Sequence, residues 1–234
     1  MDFEIVDFNE IDSEVSVSPK TFILIDGSYF LFARYHAMLI WWKNAFPEQI
    51  LEDPFQNELF VDKFRKTFQD QLKIMPKKLG LKKREPYTLM VAKDCKRQEI
   101  WRMNILPEYK GTRLNGPENG FMGGPFFKMA YEDDLFIKGG AQKILKHPKL
   151  EADDCIALYT KKILSENSQC NIYIITSDKD YLQLASDRVE LFDLGFKKLT
   201  EQKSCFKNPE IDLFCKIHII ASTIYLGFGG HPGI

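Results

Sequence analysis

The sequence is poor in the residues that build thiol frameworks and imidazole sites. Its five cysteines, Cys95, Cys155, Cys170, Cys205 and Cys215, include no CxxC pair, and its four histidines are scattered. Odd number and wide spacing exclude a disulfide scaffold or a cysteine zinc site as the organising principle, and reduced thiols in an intracellular protein are the expectation. No apolar run approaches the length of a membrane-spanning helix, so no membrane partner is expected. Lys and Arg are absent from residues 1–18, which carry six acids; that start is the opposite of a basic signal peptide and reads as a tail over residues 1–20. The near-neutral net charge of −1 therefore hides an asymmetry, because all 32 Lys and Arg face only 27 acids in the remainder, a net of +5. Residues 62–84 hold nine Lys and Arg against two acids. Such a cluster suits a polyanion, and equally suits a solvated helix face.

What the chain does have is a core and an excess of acids in particular places. It is 44% hydrophobic and 28% charged, the balance of a globular chain with a core, and its 234 residues allow one large domain or a domain plus an appendage. Four short apolar runs read as buried strands: TFILIDG from residue 21, YTLMVAKD from 87, NIYIITSDKD from 171 and RVELFD from 188. Between them, residues 57–75 space Leu59, Phe60, Phe64, Phe68, Leu72 and Met75 at helical intervals, and residues 152–164 do the same with Ile156, Tyr159, Ile163 and Leu164. Alternating strands and helices predict an α/β fold with a mostly parallel central sheet and helices on both faces.

Asp26, Asp94 and the Asp178/Asp180 pair each fall just past the carboxyl end of a predicted strand, the edge where open α/β sheets bind ligands. Glu151, Asp153 and Asp154 of EADD open a predicted helix. Taken singly, EADD is equally a helix cap and TSDKD equally a turn. Seven carboxylates converging on one edge would not stay ionised without a cation, and hard oxygen ligands select Mg²⁺ or Mn²⁺ over zinc. The segment 110–149 is different: it holds seven of the 14 glycines and frequent aromatics, and shows no strand pattern. It reads either as a flexible surface loop or as an insertion that binds single strands through stacking and phosphate contacts.

In this order the motifs resemble the 5′-nuclease family: flap endonucleases, phage-type 5′→3′ exonucleases and the 5′-nuclease domain of bacterial DNA polymerase I. The likeness lies in ILIDGSYFLFARYHA (23–37), KDCKRQEIWRMNILPEYKGTR (93–113), with Trp101 where the family has Phe, LEADDCIA (150–157) and IITSDKDYLQL (174–184). It implies a PIN-like fold with an arch-like insertion over about 111–148, within a catalytic domain spanning 21–208. It also implies a metal-dependent phosphodiesterase acting near DNA 5′ ends, at flaps, nicks, gaps or RNA primers, as a monomer at sites of replication and repair. Asp26, Asp94, Glu151, Asp153, Asp154, Asp178 and Asp180 would hold two Mg²⁺ or Mn²⁺ ions. Arg102, Lys110 and Arg113 would steer and clamp the phosphate, Lys93 would join them in binding substrate, and Tyr109 would stack on the terminal base. The family's Gly-Asp-x-Ser-Asp-Asn, which completes the second metal site, has no counterpart in ASTIYLGFGGHPGI (221–234), where there is no acid. Residues 209–234 would then be the incomplete start of a helical-hairpin DNA-binding region. The alternative implied is a catalytically impaired, DNA-binding remnant of such a nuclease. A ribonuclease with a similar acidic centre fits the Tyr-Lys-x-x-Arg block less well. An aspartyl phosphatase lacks its second acid, because position 28 is Ser28.

Overall fold

The computed structural model describes residues 21–110 and 120–201. The four apolar runs form strands: β1 (Thr21–Asp26), β2 (Tyr87–Ala92), β4 (Asn171–Ile175) and β5 (Val189–Phe192). A fifth strand, β3 (Lys143–Leu145), lies inside the glycine-rich segment, where no strand was expected. All pair in parallel in the order β3-β2-β1-β4-β5. β1 is central, and its residues Thr21 to Ile25 are buried, as a strand covered on both faces requires.

Alternate residues of β1 serve different cores. Ile23 and Ile25 face a layer made by α1 (Gly27–Ala45), α2 (Glu58–Lys78), α3 (Gly124–Glu132) and α4 (Leu135–Lys138). Phe22 and Leu24 face α5 (Ala152–Glu166). The first core is aromatic-rich: Phe68 meets Phe30 edge-on at 4.9 Å and Phe136 at 4.9 Å, the preferred arrangement for quadrupolar rings. α2 starts where Asn57 accepts from the Phe60 N–H at 3.0 Å, and buries Phe60, Phe64, Phe68, Leu72 and Met75, the stripe read from its periodicity. The expected tail 1–20 and the 209–234 region lie outside the described residues.

The order of strands reverses between β1 and β4, since β2 and β3 are added on one side of β1 and β4 and β5 on the other. In open parallel sheets the crevice at such a switch point, outside the carboxyl ends, receives ligands. The turn from β1 into α1 is tight there. A Cβ on Gly27 would lie 2.5 Å from the Ala92 carbonyl oxygen and 2.5 Å from the Tyr131 hydroxyl, so the backbone approach of β1, β2 and α3 requires glycine. Gly27→Ala is expected to destabilise the protein by about 1–3 kcal/mol in urea unfolding. A change within roughly 0.3 kcal/mol would contradict that packing.

Candidate active site

Each acid at the switch point is fixed by its own element. Asp26 ends β1 and caps α1, accepting from the Tyr29 N–H at 3.0 Å and from the Tyr181 hydroxyl at 3.2 Å. Asp94 follows β2. It accepts from the Ser28 hydroxyl at 2.5 Å and from the Ala152 N–H, the first of α5, at 2.7 Å. The positive end of α5 thereby holds a carboxylate from across the sheet. Asp178 follows β4 and caps the 3-10 turn Lys179–Leu184, accepting from the Asp180 N–H at 2.9 Å.

Glu151, Asp153 and Asp154, at the start of α5, bring one ligand oxygen each within 4.8 Å of the others. Glu151 and Asp154 are buried, and their charge is met by cations from the segment after β2. Arg102, itself buried, forks both guanidinium nitrogens onto Asp154 at 2.6 Å each, and one of them onto Glu151 at 3.1 Å. The Trp101 indole N–H donates to Asp154 at 3.1 Å. The Tyr109 hydroxyl and the Lys110 ammonium take one oxygen each of Glu151, at 2.9 and 2.6 Å.

Asp153 makes no ion pair among the described residues. Burial, followed by the charges of Asp154 and Glu151, raises its pKa from 3.8 to about 7, although Arg102 pulls the other way. Burial likewise raises Asp26 to about 6, with further upward pressure from Asp94 and Asp178, against the hydrogen bonds from Tyr29 and Tyr181. The edge is thus short of positive charge at two carboxyls. A set of hard oxygens with that deficit fits a divalent cation of the Mg²⁺ type, and among the described residues the cluster of possible ligands is made of carboxylates.

Seven acids were expected to converge on one sheet edge as the ligands of two ions. Among the described residues the tight cluster holds three of them. Asp26, Asp94 and Asp178 lie at or just past strand ends on the same edge, and Asp94 is tied to the start of α5 through the Ala152 N–H. Asp180 lies in the turn after β4, and its backbone carbonyl accepts from Gln183 at 2.8 Å. Arg102 was expected to steer a phosphate; buried and bidentate to Asp154, it instead holds the acids in place. Tyr109, expected to stack on a base, is part-buried with its hydroxyl bonded to Glu151. Lys110 is part-exposed, with a side-chain exposure of 31%, and bridges Glu151 to the surface. Lys93 follows β2, its ammonium 4.2 Å above the Tyr131 ring. Arg113 lies outside the described residues. Sequence reasoning missed Ser28, Tyr131 and Tyr181. Each sits in an aromatic or hydroxyl position that reads as core until the sheet edge is assembled.

A five-stranded parallel sheet that gathers acids around a helix N-terminus at its switch point defines an α/β ligand-binding architecture. Residues 21–211 match the family described as the 5′-3′ exonuclease, N-terminal resolvase-like domain, and the chain belongs to that family. It is 30% identical over 196 residues to a 5′-3′ exonuclease of Mycoplasmopsis pulmonis, which covers 82% of this chain and 55% of that protein. It is 33% identical over 115 residues to the flap endonuclease Xni of Serratia proteamaculans, covering 49% of this chain and 43% of that one. The chain therefore spans about half the length of these curated relatives. The fold resembles that of the T5 D15 protein co-crystallised with metal ions, at a TM-score of 0.50 and 18% identity, over 76% of this chain and 57% of that one.

Raised carboxyl pKa values set the sign of a pH effect. Asp26 and Asp153 are easier to ionise in the unfolded chain, so without metal they weaken the fold as pH rises from about 4 to about 7, and the full penalty stands above pH 7. Metal-free protein is expected to melt lower at pH 8 than at pH 5. Asp153→Asn should recover at least about 1 kcal/mol more at pH 8 than at pH 5, measured by calorimetry in chelator. An equal pH-dependent loss in the variant would contradict the assignment.

Proposed function

We propose that this chain is a metal-dependent 5′ nuclease that hydrolyses phosphodiesters near DNA 5′ ends, as a 5′→3′ exonuclease or 5′-flap endonuclease serving replication and repair. The observation that carries the reading is the three-carboxylate cluster of Glu151, Asp153 and Asp154 at the sheet's switch point, in a chain of the 5′-3′ exonuclease family. Names of relatives support it: a 5′-3′ exonuclease and a flap endonuclease.

Glu151, Asp153 and Asp154 would hold Mg²⁺ or Mn²⁺, with Asp26, Asp94 and Asp178 as the flanking acids. When bound, such a cation supplies Lewis acidity to the phosphate and eases deprotonation of water. The chain's own residues do the rest. Arg102 and Trp101 fix the Asp154 carboxylate, so that its orientation does not depend on the cation. Lys110, part-exposed beside Glu151, is placed to hold a phosphate oxygen and to offset the charge that develops there. Arg113 would add a second cation from the segment that follows. The insertion over 111–148 would guide the 5′ strand towards the acids. A catalytically impaired DNA-binding chain is the second reading, favoured by the acid-free stretch 221–234.

Cleavage of a 5′-labelled flap DNA decides between them, run with Mg²⁺, with Mn²⁺ and with chelator. Metal-dependent cutting is expected, reduced at least about 10²-fold in Asp153→Asn and in Asp154→Ala. Circular dichroism confirms that each variant folds. Binding without cutting under every metal condition would replace the nuclease with the DNA-binding chain.

A further inference from the structure

Beside Asp94, on the side away from α5, lies a cleft of about 300 Å³ between the end of β2 and α3. Its walls include Ser28, Lys93, Asp94, Phe127, Lys128 and Tyr131. The volume is at the small end of ligand sites and suits one nucleotide, not a duplex. We propose that this cleft is a nucleoside-monophosphate pocket, taking the phosphate at Lys93 and the base against Phe127. The proposal rests on the nuclease reading for its choice of ligand and deepens it.

The cations of the molecule separate into two groups here. Arg102 is buried against the acids at the start of α5, and Lys110 is paired with Glu151 beside them. Lys93, one residue before Asp94, makes no ion pair among the described residues. Its ammonium is steered over the Tyr131 ring at 4.2 Å, which orients it while leaving its protons for an acceptor. Lys128, on the opposite wall, offsets Glu132, 3.7 Å away, so the rim does not repel an anion. Asp94 is already occupied by the Ser28 hydroxyl and the Ala152 N–H.

The apolar wall continues outward. Phe127 is part-buried and lies 5.9 Å from Phe121, which is itself stacked on Phe32 at 5.6 Å. Phe32 and Phe121 are exposed, at 51% and 39%, so aromatic surface runs from the cleft to solvent and offers faces on which a base can lie. Within the floor, the Tyr131 hydroxyl is buried with no hydrogen-bond partner, pressed towards Gly27. A buried donor without an acceptor marks a place where a ligand or water completes the bonding.

Two sources supply the same chemistry: the 5′-phosphorylated end of a strand and the free mononucleotide released from one. The test uses the full chain in chelator, where no strand is cut. Fluorescence anisotropy compares 3′-labelled single strands that differ only in a 5′-phosphate or a 5′-hydroxyl, and calorimetry titrates dAMP against deoxyadenosine. The phosphorylated strand is expected to bind about tenfold tighter, as one charge-assisted contact would give. Lys93→Ala should erase that preference and leave the 5′-hydroxyl strand unaffected, Phe127→Ala should weaken dAMP binding, and Lys83→Ala on the distant basic stretch should change neither. An end preference without dAMP binding assigns the pocket to strand ends; dAMP binding without an end preference assigns it to the mononucleotide. Equal affinity for both ends together with no dAMP binding overturns the proposal. So does a Lys93→Ala loss that is the same for both ends. Flap cleavage with neither signature leaves the nuclease standing and removes the pocket, whereas Lys93-dependent dAMP binding without cleavage leaves the pocket and removes the nuclease.

Discussion

Glu151 and Asp154 are buried beside Asp153, and Arg102 is buried with them. A lone carboxylate at that depth would take up a proton, and two would repel. The guanidinium fork, with two 2.6 Å contacts to Asp154 and a third to Glu151, supplies the opposing charge with its geometry fixed. With Lys110 on Glu151 as well, Asp153 is the acid of the three left without an ion pair among the described residues, and burial, followed by the charges of Asp154 and Glu151, raises its pKa. The arrangement is a three-acid cluster with two of its charges met from inside the protein. Cutting the fork would strand an acid pair in the core, the situation in which removing one partner of a buried ion pair is most damaging.

The sheet explains why the cluster can be assembled at all. β1 lies at the centre and β2 and β4 on either side, so the three strand ends deliver Asp26, Asp94 and Asp178 to one crevice from positions far apart in the chain. α5 crosses beneath and presents its N-terminus to Asp94, through a bond of 2.7 Å over 58 residues of sequence. Gly27 makes the crossing of β1, β2 and α3 close enough for Tyr131 and Lys93 to form the adjoining wall. Packing and electrostatics therefore meet at the same few residues.

The four longer strands were legible because strands buried on both faces are nearly continuous apolar runs, and α2 because its stripe is regular. β3 was not. It is three residues long in a glycine-rich stretch, and is held by its pairing to β2 and by the Gln142 side chain accepting from Leu89 N–H at 2.6 Å, neither of which has a local signal. α3 left a trace that could have been read: Pro125 near its start, with Phe126, Met129 and Ala130 three and four apart. α1 is apolar round much of its surface, even exposing Phe32 and Ile40, so periodicity does not find it. The acids were legible as strand-end and helix-start residues. The partners that give them their chemistry were not, because Arg102 meets Asp154 across 52 residues and nothing local to RMN predicts a buried fork. Tyr109 likewise meets Glu151 across 42 residues, a contact with no local signal.

Whether the unpaired Asp153 takes a cation decides the chemistry of the site. Mn²⁺ titrated into metal-free protein at pH 7.5, followed by electron paramagnetic resonance of the free ion, measures this without reference to any DNA. Saturable binding is predicted, weakened at least about tenfold in Asp153→Asn, the scale on which altered metal sites lose affinity. Absence of saturable binding, or equal binding by the variant, would contradict the account at its centre.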